Sequence, residues 1–212
     1  MNKPTSALNA ANFFMADVRD GLGPFLGVFL QSRGWQPSEI GLVMTLGGLA
    51  GMLATTPLGM LVDATRAKRA ILIVSAAGVV AACTFNYFLP SFGVTAIAQL
   101  ATGIAAAAIG PALAGITLGI VGQRGFAHQL GRNESFNHGG NAFAAIASGF
   151  LGYTFGIGAV FALMAAMALG SIYSTLRIAP EDIDHAAARG LEVGGEGRTT
   201  SPSMTSKALQ KE

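Results

Sequence analysis

Three ionisable residues, Asp17, Arg19 and Asp20, interrupt an otherwise apolar segment near the N-terminus. Carboxylates beside a guanidinium in a partly dry cavity can bind and release a proton near physiological pH. The cluster therefore predicts a substrate- or proton-binding site. The alternative is a structural cluster, in which the two acids neutralise Arg19 or a cation on a neighbouring helix.

These residues share one face of a predicted helix. At about 100° a residue, the cluster falls with Asn9 and Asn12 inside an arc of roughly 160°. Apolar side chains fill the opposite side, and only Phe13 breaks the pattern. The polar side is predicted to line a cavity, with Asn12, Gln99 and Asn141 as further lining candidates. The polar stripe around Gln99 fits helix packing equally well, and helix packing is the stronger interpretation for the stripe around Asn141, because small and weakly polar residues also mediate packing.

The elements that carry these residues belong in a membrane. The chain has 212 residues, of which 51% are hydrophobic and 11% charged, against about 25% charged in soluble domains. Residues 40–62, 70–123 and 135–176 contain no Asp, Glu, Lys or Arg. Stretches of that length and composition predict a polytopic, all-α membrane protein.

Six segments are long and apolar enough to span, since a spanning helix needs about 20 residues. The predicted spans are residues 9–30, 38–61, 70–88, 94–121, 135–154 and 159–176. We therefore expect a short cytoplasmic N-terminus (1–8) and a six-helix transmembrane bundle (9–178). Residues 179–212 are rich in charged and small residues and are predicted to form a disordered, hydrophilic tail.

Cations in the loops predict the orientation. With the N-terminus inside, the short cytoplasmic segments would hold Lys3, Arg66, Lys68, Arg69, Arg124, Arg132 and Arg177. The outer loops would hold Arg33 alone. The positive-inside rule then places both termini in the cytoplasm.

Other classes of protein find little support. A net charge of +2 is too small to indicate nucleic acid as a partner. Cys83 is the single cysteine and His138 has no Cys or second His nearby, so no metal site is expected. Enzyme and cofactor motifs are absent from the sequence, so we expect neither catalysis nor a cofactor.

The loop between the second and third predicted helices carries a recognisable pattern, GMLVDATRAKR, from Gly59 to Arg69. It resembles the signature loop of the major facilitator superfamily, G-x-L-x-D-R-x-G-R-[RK]. Matches in register are Gly59, Leu61, Asp63 and Lys68, while Ala64, Arg66 and Ala67 depart from it. The resemblance implies a gating loop formed by Gly59, Asp63, Arg66, Lys68 and Arg69. It also implies that Asp63 pairs with cations at helix ends and holds one transport conformation.

Six helices with both ends cytoplasmic are similar to the N-terminal half of such a transporter. In that family each half consists of two inverted three-helix repeats, so helices 1 and 4 correspond. Here they carry Gly23-Pro24 and Gly110-Pro111, and paired interruptions of this kind point to a midplane site.

The resemblance implies a secondary active transporter of the inner membrane. It would work by alternating access, driven by a proton or solute gradient, on a small solute. A complete transporter of this type has twelve helices, so the chain would need a second copy or another six-helix half. The alternative is a non-transporting membrane subunit or an inactive truncated remnant. A membrane-embedded enzyme is disfavoured because no catalytic constellation appears.

Overall fold

The computed structural model describes residues 3–189, apart from the side chain of Asp20, and contains only helices, turns and loops over that range. The helices are α1 (Lys3–Asp20), α2 (Pro24–Ser32), α3 (Pro37–Ala64), α4 (Lys68–Phe88), α5 (Phe92–Phe155) and α6 (Ile157–Leu176). Two short 3₁₀ turns, Pro180–Asp182 and Ala187–Arg189, follow α6.

The first predicted helix is divided in two. Residues 9–30 were expected to form one helix, but α1 already begins at Lys3 and ends at Asp20. Gly21 (φ 59°) and Gly23 (φ 47°) then adopt positive φ values that residues with a Cβ rarely adopt. Pro24 begins α2, in the first turn where its missing N–H costs no hydrogen bond. The break lies at the Gly23-Pro24 interruption that the sequence contains.

α5 reverses direction within its length. The Asn133 side chain donates a hydrogen bond of 2.7 Å to the Thr117 hydroxyl, although 16 residues of straight helix would separate them by about 24 Å. The reversal occurs at Gly122, whose φ of 65° and ψ of 177° are non-helical. We call residues 92–121 the first arm of α5 and residues 123–155 the second arm. The backbone stays helical through Pro111.

Over residues 3–189, four helices are long and apolar enough to cross a membrane: α3, α4, α5 and α6. α1 carries the ionisable cluster, and α2 has nine residues, about 14 Å of helix against a hydrocarbon core of about 30 Å. The chain is a multi-pass membrane protein by this measure, and the predicted count of six spans is not confirmed by it.

The apolar side of α1 and α2 faces the protein core. Met15, Val18, Leu26 and Phe29 are buried there among side chains of the neighbouring helices. α1 packs against both arms of α5 and against α6, while α3 packs on α5. The interruption at residues 21–23 is therefore held between the arms.

Residues 178–189 pack against the bundle, although the sequence assigned residues 179–212 to a tail. Ile178, Ile183 and Ala188 are buried, and the Asp184 amide donates to the carbonyl of Gly119 at 3.0 Å. A Cβ on Gly119 would stand 2.7 Å from Ile183, so this glycine lets the segment approach α5. The rest of the predicted tail, and residues 1–2 of the predicted N-terminus, lie outside the described residues.

Candidate functional site

The break between α1 and α2 lies between two cavities. One is lined by α1, α3 and the first arm of α5, and the other by α1, α2 and the second arm. The two are named here by their ionisable lining residue, as the Arg19 cavity and the Asp17 cavity. The sequence predicted that both residues lie on one polar face of a helix and line one cavity. In the structure the two residues line different cavities, at opposite edges of that face.

The Arg19 cavity has a volume of about 400 Å³. Arg19 is exposed into it, and its Nη2 lies 3.6 Å from the position that a Cβ on Gly110 would take. Gln99 is half-buried in the wall. Thr102 is 9% exposed, and its hydroxyl oxygen is buried beside the Cys83 thiol, with almost no surface on the cavity.

The floor of the Arg19 cavity is made of backbone. Gly47 and Gly51 of α3 meet Gly103 of the first arm so closely that a Cβ on Gly103 would overlap the carbonyl oxygen of Gly47. The remaining lining residues are Gly48, Met52, Thr55, Ala106 and Ala107. The Gly47–Gly51 pair therefore serves helix packing, and the absence of side chains leaves the space above it open.

The Asp17 cavity is smaller, about 330 Å³. Asp17 is half-buried and faces residues 21–25 at the break. Asn141, Ala144 and Ala145 of the second arm form the opposite wall. This arrangement brings the predicted Asn141 to the same space as Asp17.

Asn12 lines neither cavity as described. It is buried, and its side-chain amide donates to the carbonyl of Leu8 one turn earlier, at 2.9 Å. Asp20 ends α1, and its side chain lies outside the described part of the structure. The structure therefore brings together two pairs of predicted residues, Arg19 with Gln99 and Asp17 with Asn141.

A buried polar network ties α1 to the reversal in α5. The Gln129 amide donates to Asn9 at 2.8 Å and to Asn133 at 2.9 Å. Asn133 donates to Thr117, which in turn donates to the carbonyl of Leu113 at 2.7 Å. Sequence reasoning missed Gln129, because its partner Asn9 is 120 positions away and no periodicity links the two. Gln129 lies within the expected loop together with a second glutamine, Gln123, so the sequence carried no signal that singled it out.

The loop predicted to gate transport holds two helix ends. Lys68 is buried, and its ammonium donates to the carbonyls of Val62 at 2.7 Å and Thr65 at 2.9 Å, at the C-terminus of α3. Arg69 donates to the carbonyls of Thr175 (3.3 Å) and Leu176 (3.2 Å), at the end of α6. Cations at these positions complement the negative end of a helix dipole.

The other predicted members of the loop lie outside this capping arrangement. Asp63 and Arg66 are exposed, and Gly59 has open space where a Cβ would stand. Gly115 of α5 makes room for the Lys68 stem, since a Cβ there would come within 2.5 Å of it. The sequence pattern gave no sign of Gly115. The predicted pairing of Asp63 with cations stays a prediction.

Comparison with known proteins gives one family. The sequence model of the Major Facilitator Superfamily matches residues 7–204. Two uncharacterised MFS-type transporters of Mycobacterium tuberculosis, from strains CDC 1551 / Oshkosh and ATCC 25618 / H37Rv, are each 49% identical to this chain over 187 residues. The match covers 88% of this chain and 45% of each relative, so the chain spans about half the length of the curated relatives it matches. No solved structure matches it significantly.

Proposed function

Because the chain belongs to the major facilitator superfamily, we propose that it forms one half of a secondary active transporter for a small solute. It would work by alternating access, coupled to a proton or solute gradient. The observation that carries the proposal is the break at residues 21–23, which lies between two cavities that each present one ionisable residue of α1. Discontinuous helices of this kind form substrate and ion sites in transporters.

In this proposal the bundle crosses the membrane six times. The crossings are α1 with α2, α3, α4, the two arms of α5, and α6. Each arm of α5 has about 30 residues and would reach about 45 Å, enough for one crossing. Arg66, Lys68, Arg69, Arg124 and Arg177 would then share one side of the membrane, which favours cytoplasmic termini and the inner membrane.

The complementary half would come from a second copy of this chain or from another six-helix chain. Support comes from α3, whose most apolar stretch is 11% buried, while the corresponding stretches of the other three candidate spans are 33–44% buried. The Arg19 cavity opens beside this exposed helix. A partner on α3 would close the cavity and complete a central path between two bundles.

Asp17 would carry the coupling ion, with Asn141 as its neighbour and Asp20 as a further acidic group. A carboxylate within a membrane helix is costly, about 2.5–3.5 kcal/mol on insertion scales, so its presence favours a functional role. Arg19 and Gln99 would face the solute. Separate cavities would let the ion and the solute bind side by side on one helix.

The loop after α3 would act as a conformational latch. Lys68 and Arg69 hold the ends of α3 and α6, so movement of these helices would have to break those hydrogen bonds. Lys68→Met should lower the Tm of the purified protein by several degrees, because it leaves buried carbonyls unpaired at a cost of about 1–3 kcal/mol. Arg66→Gln is the matched control and should leave the Tm unchanged; equal losses in both variants would contradict the capping role.

Reconstitution tests the transport proposal. The purified chain is placed in liposomes containing the pH dye pyranine, alone or with the C-terminal half of a matched M. tuberculosis relative. A panel of small acids, amines and sugars is then added, and native mass spectrometry reports the oligomeric state. We expect solute-dependent proton flux from a dimer or from the two-half complex.

The competing proposal is a non-transporting subunit or a truncated remnant, which the 45% coverage of the relatives also accommodates. It predicts no flux with either preparation. A monomer that stays silent for every solute, with and without the added half, would refute the transport proposal.

A further inference from the structure

Among the residues whose side chains the structure describes, the two cavities beside α1 differ in the sign of their charge. Among the described residues that line the Arg19 cavity, Arg19 is the one ionisable side chain. Among those that line the Asp17 cavity, Asp17 is the one ionisable side chain. A solute in the Arg19 cavity would therefore meet a cation, and a positive solute would be repelled.

The polar groups of the Arg19 cavity suit an anionic oxygen ligand. A guanidinium offers five N–H donors in a planar fork and no acceptor, and the fork matches a carboxylate with two parallel hydrogen bonds. Gln99 adds an amide that can donate or accept.

The rest of the lining sets the size of the ligand. A volume of about 400 Å³ lies at the lower end of the range for small-molecule sites, about 300–1,000 Å³. Met52, Ala106 and Ala107 offer apolar contact. Gly47 lets α3 approach the first arm, since a Cβ there would stand 3.0 Å from the Gln99 carbonyl oxygen, and Gly48 adds no side chain to the space.

From these observations we propose that the Arg19 cavity binds a small organic carboxylate, with Arg19 on the carboxylate and Gln99 on a second polar group. The inference deepens the transport proposal by naming the chemical class of the solute, and it rests on that proposal for its role in flux. One guanidinium balances the single charge of a carboxylate. A phosphate monoester carries about −1.5 to −2 at neutral pH and would leave charge unbalanced.

The test measures binding by the full-length chain in detergent. Thermal unfolding is followed with two matched series of probes at constant ionic strength. One series is benzoate, benzamide, benzylamine and phenyl phosphate, and the other is butyrate, butyramide, butylamine and butyl phosphate. At least one carboxylate should raise the Tm, while its amide and amine counterparts should not.

Variants assign the effect to the cavity. Arg19→Gln should weaken carboxylate binding at least about tenfold, equivalent to about 1.4 kcal/mol. Arg19→Lys should fall between that variant and the wild type, because a point charge replaces the fork. Arg33→Gln, which removes an exposed arginine at the end of α2, should bind as the wild type does. The Tm of each variant without ligand reports whether it folds.

Three results would overturn the inference: no carboxylate raises the Tm, an amine or a phosphate does so instead, or the carboxylate effect survives in folded Arg19→Gln. Flux measurements separate this failure from failure of the transport proposal. If carboxylate binding depends on Arg19 but no flux is seen, the binding site is supported and the transport proposal is refuted. If an amine or a sugar is transported, and its flux is unchanged in Arg19→Gln, the transport proposal is supported and the carboxylate site is refuted.

Discussion

The Arg19 and Asp17 cavities differ in neighbours, size and charge, although the residues that name them are two positions apart. At 3.6 residues a turn, two positions place side chains about 200° apart, so the pair points to different neighbours. Arg19 faces α3 and the first arm of α5, and Asp17 faces the second arm. One short helix can therefore offer opposite charges to two separate spaces.

The same break serves both spaces in different ways. Residues 21–25 form a wall of the Asp17 cavity. On the other side, a Cβ on Gly21 would stand 3.3 Å from the methyl group of Thr102, so the break also packs against the wall of the Arg19 cavity. Movement at this glycine-rich break would shift walls of both cavities, so a conformational change there would involve both at once.

The largest expected effect is on the Asp17 side. Asp17→Asn removes the ionisable group while keeping nearly the same shape, so we expect solute-dependent proton flux in liposomes to fall about 100-fold or more. Carboxylate binding in the Arg19 cavity should change less than about twofold. Asp182→Asn, an exposed acid in the turn after α6, is the matched control and should keep full flux. Proton flux that persists in Asp17→Asn would remove the coupling role.

Two glycine substitutions, one beside each cavity, should have effects of intermediate size and should distinguish the two cavities. Gly103→Ala would force α3 away from the first arm, because the new Cβ overlaps the Gly47 carbonyl. Gly140→Ala would force α1 away from the second arm, because the new Cβ overlaps the Phe13 carbonyl. Overpacking of this kind costs about 1–3 kcal/mol, so both Tm values should fall by several degrees.

Ligand binding should distinguish these two variants. Gly103→Ala is expected to weaken carboxylate binding about tenfold, whereas Gly140→Ala should leave binding close to the wild type. Gly41→Ala and Gly139→Ala are the controls, since a Cβ on Gly41 of α3 meets nothing within 4 Å and one on Gly139 has an ordinary contact at 4.0 Å. Neither glycine is among the described lining residues of the two cavities. If Gly140→Ala weakened carboxylate binding as much as Gly103→Ala does, the cavities would not be independent.

The smallest effect concerns Gly110. An alanine there would touch the Arg19 guanidinium at an ordinary distance of 3.6 Å, so the side chain can stay in place. We expect the dissociation constant for the carboxylate to change by no more than about twofold in Gly110→Ala. A loss as large as that of Arg19→Gln would mean that the guanidinium needs to move past this position when the ligand binds.

Part of this fold could be predicted from the local sequence alone. Charge-free stretches indicated membrane helices, and the Gly23-Pro24 pair marked the place where α1 gives way to α2. Gly110-Pro111 offered the same signal, yet the helix continues through Pro111. Local sequence therefore indicates where a helix can be interrupted, and tertiary packing decides whether it is.

Long-range contacts account for what the sequence did not reveal. The loop expected between residues 121 and 135 shrinks to a reversal at Gly122, because Gln129 and Asn133 find buried partners on α1 and the first arm. Ile183 and Ala188 lie in a polar stretch without periodicity, so their burial against α5 left no pattern to read. The wide polar arc of α1 similarly gave no sign that its two edges meet different helices.

Carboxylate binding measured in parallel on Arg19→Gln and Asp17→Asn tests the account most directly. Both variants keep their side-chain positions on the same helix, and the same Tm titration with the stabilising carboxylate is applied to each. The account predicts that binding is lost in Arg19→Gln and kept in Asp17→Asn. Loss of binding in both variants, or loss in Asp17→Asn alone, would contradict the division of α1 between two cavities.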